Sequence, residues 1–232
     1  MTTIAVIDAS TDLAGVNLAP VVAALQVQMD RDVGPLWGIT TGLTLVAPGA
    51  QPPAGAWQLV LLDDSDQAGD LGYHELTADG LPLGRVFVRT DHVDGLNWTV
   101  TASHEMIEMR INAHLDKVKA FGVGGTVTAI EACDAVEDEQ YAYDINGVQV
   151  SNFVTPAYFS GGGKPWDFRR LLTGPCPTML PGGYLSVCGP DGQWTERFAE
   201  ESNGVDRARL YRPWARRYRR KLPREEWRRS LR

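Results

Sequence analysis

The segment Thr101-Ala-Ser-His-Glu-Met-Ile-Glu-Met109 gathers the side chains best suited to chemistry: His104, Glu105 and Glu108, in the spelling His-Glu-x-x-Glu. On a helix, residues four apart share a face, so the His104 imidazole and the Glu108 carboxylate can point at one metal ion. Glu105 is rotated from His104 by about 100° and reaches towards a water on that ion instead of the ion itself. The pattern is a variant of His-Glu-x-x-His. There the ion brings the pKa of its water towards roughly 7, and the adjacent glutamate takes the proton as general base. A catalytic zinc ordinarily takes three protein ligands and keeps one position open, so a third ligand must come from elsewhere in the chain.

The motif needs a helix held against a sheet, and the flanking sequence predicts both. From Asn97 to about His114, Trp98, Val100, Ala102, Met106, Ile107, Met109 and Ile111 recur without Gly or Pro, which predicts a helix. Upstream, Ile4–Asp8 reads as a strand. Asn17 to Asp32 reads as a helix with Pro20 in its first turn and Gly34-Pro35 closing it, and Trp37–Val46 as a second strand. The continuous apolar run Gln58–Leu62 fits a strand covered on both faces, while the alternation in Gly84–Arg89 suits a half-exposed or edge strand. Further on, Thr126–Ala135 fits either a strand or a helical turn. Asp144–Val150 predicts a hairpin around Asn146-Gly147, and Tyr184–Val187 with Gln193–Glu196 a second one. The expected fold class is α+β: residues 1–135 a mixed sheet with the motif helix, 136–206 a loop- and hairpin-rich elaboration packed on it, and 207–232 a basic tail.

The strand–helix–strands order ahead of a His-Glu-x-x-Glu helix resembles the N-terminal half of the zincin metallopeptidases. In that fold an edge strand beside the active-site helix binds extended peptide, a role that the resemblance gives to Arg85–Arg89. Three residues compete for the third ligand position. His114 stands ten residues after His104, the metzincin spacing, although Ile111 occupies the position of that group's turn glycine. Glu131 lies 27 residues after His104 and resembles the downstream glutamate of the gluzincins; Asp134 corresponds to the zincins that close the site with aspartate. Ala102-Ser-His-Glu-x-x-Glu-Met109, Glu131-x-Cys-Asp134, Ile145–Phe159 and Leu180-Pro-Gly-Gly-Tyr184 together resemble a family of uncharacterised metallopeptidase-like proteins of bacteria and phages. That resemblance covers residues 1 to about 200 and favours Glu131 over His114. It departs at Asn112-Ala113, where the family has Asp-Pro. One histidine with two carboxylates makes a hard, anionic ligand set, which admits Mn²⁺ or Fe²⁺ beside Zn²⁺, the first expectation. Cys133 reads as a small buried residue, and His74 and His92 as isolated histidines; the acidic loops Asp63–Asp66 and Glu137–Glu139 read as solvated turns.

The net charge of −7 conceals a division along the 232 residues: Arg207–Arg232 holds 12 basic and two acidic residues, leaving ten basic and 27 acidic in the rest. Arginines interleaved with Tyr211, Trp214, Tyr218 and Trp227 suit nucleic acid or an anionic surface. A hydrophobic content of 44% supports a normal core, and no apolar run spans a bilayer. The start lacks a classical export signal, so a cytoplasmic or virion-associated location is expected, with Cys133, Cys176 and Cys188 as reduced thiols. The leading functional expectation is a metal-dependent hydrolase acting on a peptide or protein. The alternative is a zincin scaffold without turnover, a binding or structural protein of a phage or secreted assembly that holds an anionic partner through its tail.

Overall fold

The computed structural model describes residues 1–66, 70–120 and 125–199, and the basic tail Arg207–Arg232 lies outside them. The architecture is α+β. Its main sheet has the order β2-β1-β3-β5-β4, built from β1 (Thr2–Asp8), β2 (Thr41–Leu45), β3 (Trp57–Leu62), β4 (Gly72–Leu76) and β5 (Pro82–Phe87). The first four in that order run parallel, and β4 is antiparallel to β5. Ile4, Ala5 and Val6 at the sheet centre are buried, as a parallel strand flanked on both edges requires. In β3 only Leu59 and Leu61 are fully buried and their neighbours Gln58, Val60 and Leu62 half-buried, so one face of this strand is more deeply covered, contrary to the expectation from its apolar run.

The first helix outruns its predicted end. α1 (Ala19–Val27) continues through a π-helical turn, Gln28–Val33, into α2 (Gly34–Trp37), and stops at Gly38 with φ of 66°. Gly34 and Pro35 do not close it. A Cβ on Gly34 would lie 2.7 Å from the carbonyl oxygens of both Met29 and Ile39, so glycine permits close packing there, and Pro35 occupies a first-turn position where its missing N–H costs nothing.

Two further departures set the geometry of the site. Residues 84–89 are not an edge strand: β5 lies between β3 and β4, and Val88–Val93 forms a short helix, α3. The alternation arises because Gly84 and Val86 face the motif helix while Arg85, on the other face, ion-pairs with Glu75 at 2.8 Å; periodicity registers a half-covered face but is blind to neighbours. The terminal strand is β4, with His74 opposite Gly84.

The motif helix α4 runs from Trp98 to Ile111 and packs on β3, β4 and β5. Asn97 caps its start, the side-chain oxygen accepting the Thr99 N–H at 3.1 Å. It ends three residues before His114, where the Asn112 side chain accepts the Lys117 N–H at 2.9 Å and draws the chain away. After it come β6 (Val118–Ala120) and β7 (Val127–Ala129), the hairpin β8 (Tyr143–Ile145) and β9 (Val148–Val150), the short helix α5 (Pro156–Ser160), and β10 (Tyr184–Cys188) with β11 (Trp194–Phe198). β11-β10-β7-β6 make an antiparallel sheet. One hydrophobic cluster contains Ile4, Leu59 and Met106 together with Phe153, Tyr158 and Leu185, joining the main sheet to the later elements. Among the described residues no helix is long and apolar enough to cross a membrane.

Candidate metal centre

α4 carries His104, Glu105 and Glu108 on the flank turned towards β4 and towards the segment after β7. Gly72 lets the helix come down onto the sheet at this point, while Gly84 lies in ordinary contact with it. A Cβ on Gly72 would lie 2.8 Å from Thr101 Cγ2 and 2.9 Å from Glu105 Cγ, and one on Gly84 would be 3.8 Å from Glu105 Cβ. Both glycines flank His74 in the β4–β5 register, and the close approach at Gly72 seats Glu105 beside the His74 ring.

The segment Ile130–Asp134 passes along the other side of the helix. Ala132 accepts the Val154 N–H at 2.7 Å through its carbonyl, and the Cys133 N–H donates to Glu108 Oε1 at 3.0 Å. That bond fixes the Glu108 carboxylate and leaves its second oxygen facing the histidines. Asp134 opens a single 3₁₀ turn, Asp134–Val136, against which Gly183 is pressed: a Cβ there would meet the Ala135 carbonyl oxygen at 2.6 Å and the Asp134 carbonyl oxygen at 2.9 Å. The Leu180-Pro-Gly-Gly-Tyr184 segment therefore clamps the turn that presents Asp134.

The result is a first group of three ligand atoms. His104 Nε2 lies 3.4 Å from Glu108 Oε2 and 3.4 Å from Asp134 Oδ1. Bonds of about 2.0–2.2 Å at tetrahedral angles place ligand atoms roughly 3.4 Å apart, so the spacing fits a four-coordinate ion with one position left. Glu131 is not in this group; its Oε2 is 4.0 Å from His74 Nε2, and its Oε1 is 3.4 Å from the Asn112 amide. His114 is exposed beyond the helix end and belongs to neither cluster of metal-ligating side chains found among the described residues.

His74 is the residue that sequence reasoning passed over. Its Nδ1 stands 3.5 Å from Glu105 Oε2 and 4.0 Å from Glu108 Oε2. The signal available was faint: Gly72-Tyr-His, a glycine two residues before a histidine in a strand too short to register as one. His92 pairs with Asp12 at 3.2 Å on the surface.

The electrostatics are those of buried charge. Glu105, Glu108, Glu131 and Asp134 are 7, 3, 2 and 1% exposed. Burial works against a charged His104, yet Glu108 and Asp134 outweigh it and raise its pKa well above the ordinary imidazole value. Burial likewise drives the Cys133 thiol well up, which keeps it protonated as a packing residue. The Tyr143 hydroxyl donates to Asp32 at 2.9 Å and accepts from Gln28 at 3.2 Å, engagements that hold it away from any substrate. Nor is Asp63 a merely solvated turn residue: it accepts from Ser10 and Thr11 at 2.5 and 2.6 Å and pairs with Arg89, interactions that lower its pKa.

His104 and Glu105 line a solvent-open cleft. Leu71 and Gly72 line one side, the first turn of α4 an end, and Tyr184 and Phe198 of the β10–β11 hairpin another side. Glu137, Asp138, Glu139 and Glu196 make the rim acidic. Glu139 also accepts the Asn97 N–H at the start of α4, tying this rim to the helix. No family model, no curated protein and no solved structure matches the chain.

Proposed function

We propose that the protein is a metal-dependent hydrolase of zincin type acting on peptide bonds, with His104, Glu108 and Asp134 as ligands and Glu105 as general base. The observation that carries this reading is the 3.4 Å spacing of His104 Nε2 from both Glu108 Oε2 and Asp134 Oδ1, with Glu105 beside it lining the cleft. One imidazole and two carboxylates suit Zn²⁺ first, with Mn²⁺ and Fe²⁺ compatible. When bound, the ion supplies Lewis acidity towards a carbonyl and lowers the pKa of water to near 7.

The protein's own groups do the rest. Glu105, held by the close approach at Gly72, accepts a proton from water in the cleft and returns it to the leaving amine. The sheet order supports the zincin reading, since the single antiparallel strand, β4, is also the terminal strand and runs beside the motif helix. An extended peptide would lie along β4, whose approach residues Leu71 and Gly72 line the cleft. This is the role that the sequence assigned to Arg85–Arg89, moved one strand outward.

The test is elemental analysis of the purified full chain, followed by peptide hydrolysis with wild type and Glu105→Gln. Bound metal in both proteins, reduced by His104→Ala, with hydrolysis abolished in Glu105→Gln, is the expected outcome. A stable wild-type protein that takes up no divalent metal overturns the reading.

A further inference from the structure

We propose that His74, Glu105 and Glu108 form a second divalent-cation site, which shares the Glu108 carboxylate with the His104–Glu108–Asp134 site. Glu108 Oε2 stands between two imidazoles, 3.4 Å from His104 Nε2 and 4.0 Å from His74 Nδ1, the placement of a bridging ligand. Two-metal hydrolytic sites hold their ions about 3.5–4 Å apart through such a carboxylate. Glu105 Oε2, 3.5 Å from His74 Nδ1, completes a second group of three atoms, all within 4.8 Å of one another.

Two independent observations point the same way. The first concerns the other nitrogen of His74, which faces Glu131 Oε2 at 4.0 Å, while Glu131 is itself held by Asn112. Histidines that bind metal through one nitrogen direct the other at a carboxylate, which fixes the tautomer and the ring. Glu131 thus stands on the far side of the His74 ring from the proposed ion, in ion-pair range at 4.0 Å and within a small shift of hydrogen bonding to it. The second is charge. Glu105, Glu108, Glu131 and Asp134 put four carboxyl groups around two imidazoles, none of the four more than 7% exposed, so their full ionisation would bring up to four negative charges there. One divalent ion cancels half of that charge and two cancel all of it, and uncompensated buried carboxylate is costly.

Imidazole with two carboxylates selects Zn²⁺ or Mn²⁺ over the oxygen-seeking Ca²⁺. Occupation of this site converts Glu105 from base to ligand. Under the one-ion reading of the hydrolase, on which this consequence alone rests, hydrolysis rises with the first equivalent of metal and falls with the second.

The experiment is metal titration of the full chain, stripped and reloaded with Zn²⁺ and separately with Mn²⁺. Bound metal is counted by elemental analysis after dialysis, and the Mn²⁺ form is examined by electron paramagnetic resonance. Wild type is expected to hold two ions with an exchange-coupled Mn²⁺ spectrum. His74→Gln, its fold verified by circular dichroism, is expected to hold one ion with an uncoupled spectrum. One ion in wild type, lost in His104→Ala and unaffected by His74→Gln, overturns the second site and leaves the hydrolase reading standing. No ion in wild type overturns both. Because the coupled spectrum is read on wild type, the proposal stays testable if His74→Gln does not fold.

Discussion

Asp91 offers a quantitative test of the ground beneath the site. It sits in α3 against α4, 0% exposed; its Oδ1 accepts from the Thr101 hydroxyl at 3.0 Å and its Oδ2 has no hydrogen-bond partner among the described residues. Burial, reinforced by the nearby Glu139, Asp94 and Glu105 and opposed by the Thr101 hydrogen bond, pushes its pKa from 3.8 up to about 8. The folded protein therefore keeps the proton through most of the physiological range, whereas the unfolded chain gives it up above the ordinary carboxylate pKa. The stability tied to this proton is complete below pH 3.8, declines as pH rises, and is gone above about 8. At about 1.4 kcal/mol for each pH unit, the ceiling on that loss is roughly 6 kcal/mol. Asp91→Asn keeps the shape and the acceptor for Thr101 but cannot titrate. Urea unfolding of both proteins at several pH values between 5 and 9 isolates the effect, because every other titration cancels in the difference. The variant should gain on wild type by about 1.4 kcal/mol per pH unit from pH 5 to 7 and level off beyond 8. A difference independent of pH would refute the claim that Asp91 is buried as the neutral acid.

Two further substitutions probe how the helix is held. Ser103 donates to Gln28 Oε1 at 2.7 Å and accepts the Ser151 N–H at 3.0 Å, linking α4 to the π-helical turn and to the segment that follows the β8–β9 hairpin. Ser103→Ala strands both partners in the interior and should cost about 2–4 kcal/mol by urea denaturation, with the ligands of the first metal site unchanged. Gly72→Ala puts a methyl group within 2.9 Å of Glu105 Cγ. It should cost about 1–3 kcal/mol in stability and lower hydrolysis more than it lowers metal content, since it displaces the base and not His104 or Asp134. Equal losses of metal and rate would show that the glycine positions the whole helix instead.

Two elements that local sequence encodes, the motif helix and the hairpin at Asn146-Gly147, are present in the structure, the helix ending three residues short of its expected end. α4 combines dense apolar content with an Asn97 cap, and the β8–β9 hairpin turns at Asn146-Gly147 with φ of 54° and 84°. Both depend on neighbours within a few residues, so periodicity and turn chemistry suffice. The same holds for the placing of His104, Glu105 and Glu108 on one helical flank. The five residues of β4, Gly72–Leu76, carry too little pattern to predict a strand, and the alternation that suggests a half-exposed or edge strand at Gly84–Arg89 reports a face and never a neighbour, since β5 is interior and only Arg85 in it is less than buried.

What the sequence determined by itself was the α+β class and the placing of His104 and Glu108 on one helical flank, since both follow from local pattern and spacing. The remaining members of the cluster were decided by tertiary structure. Glu131 and Asp134 are three residues apart in an irregular stretch. Only the Cys133 N–H bond to Glu108 and the pressure of Gly183 turn Asp134 to His104 and Glu131 to His74. His74 itself comes from a different strand, placed by an antiparallel register with β5 and admitted by the close approach at Gly72. Those constraints are steric and long-range: they exist only once helix, sheet and the segment after β7 have packed together, and no window of sequence contains them.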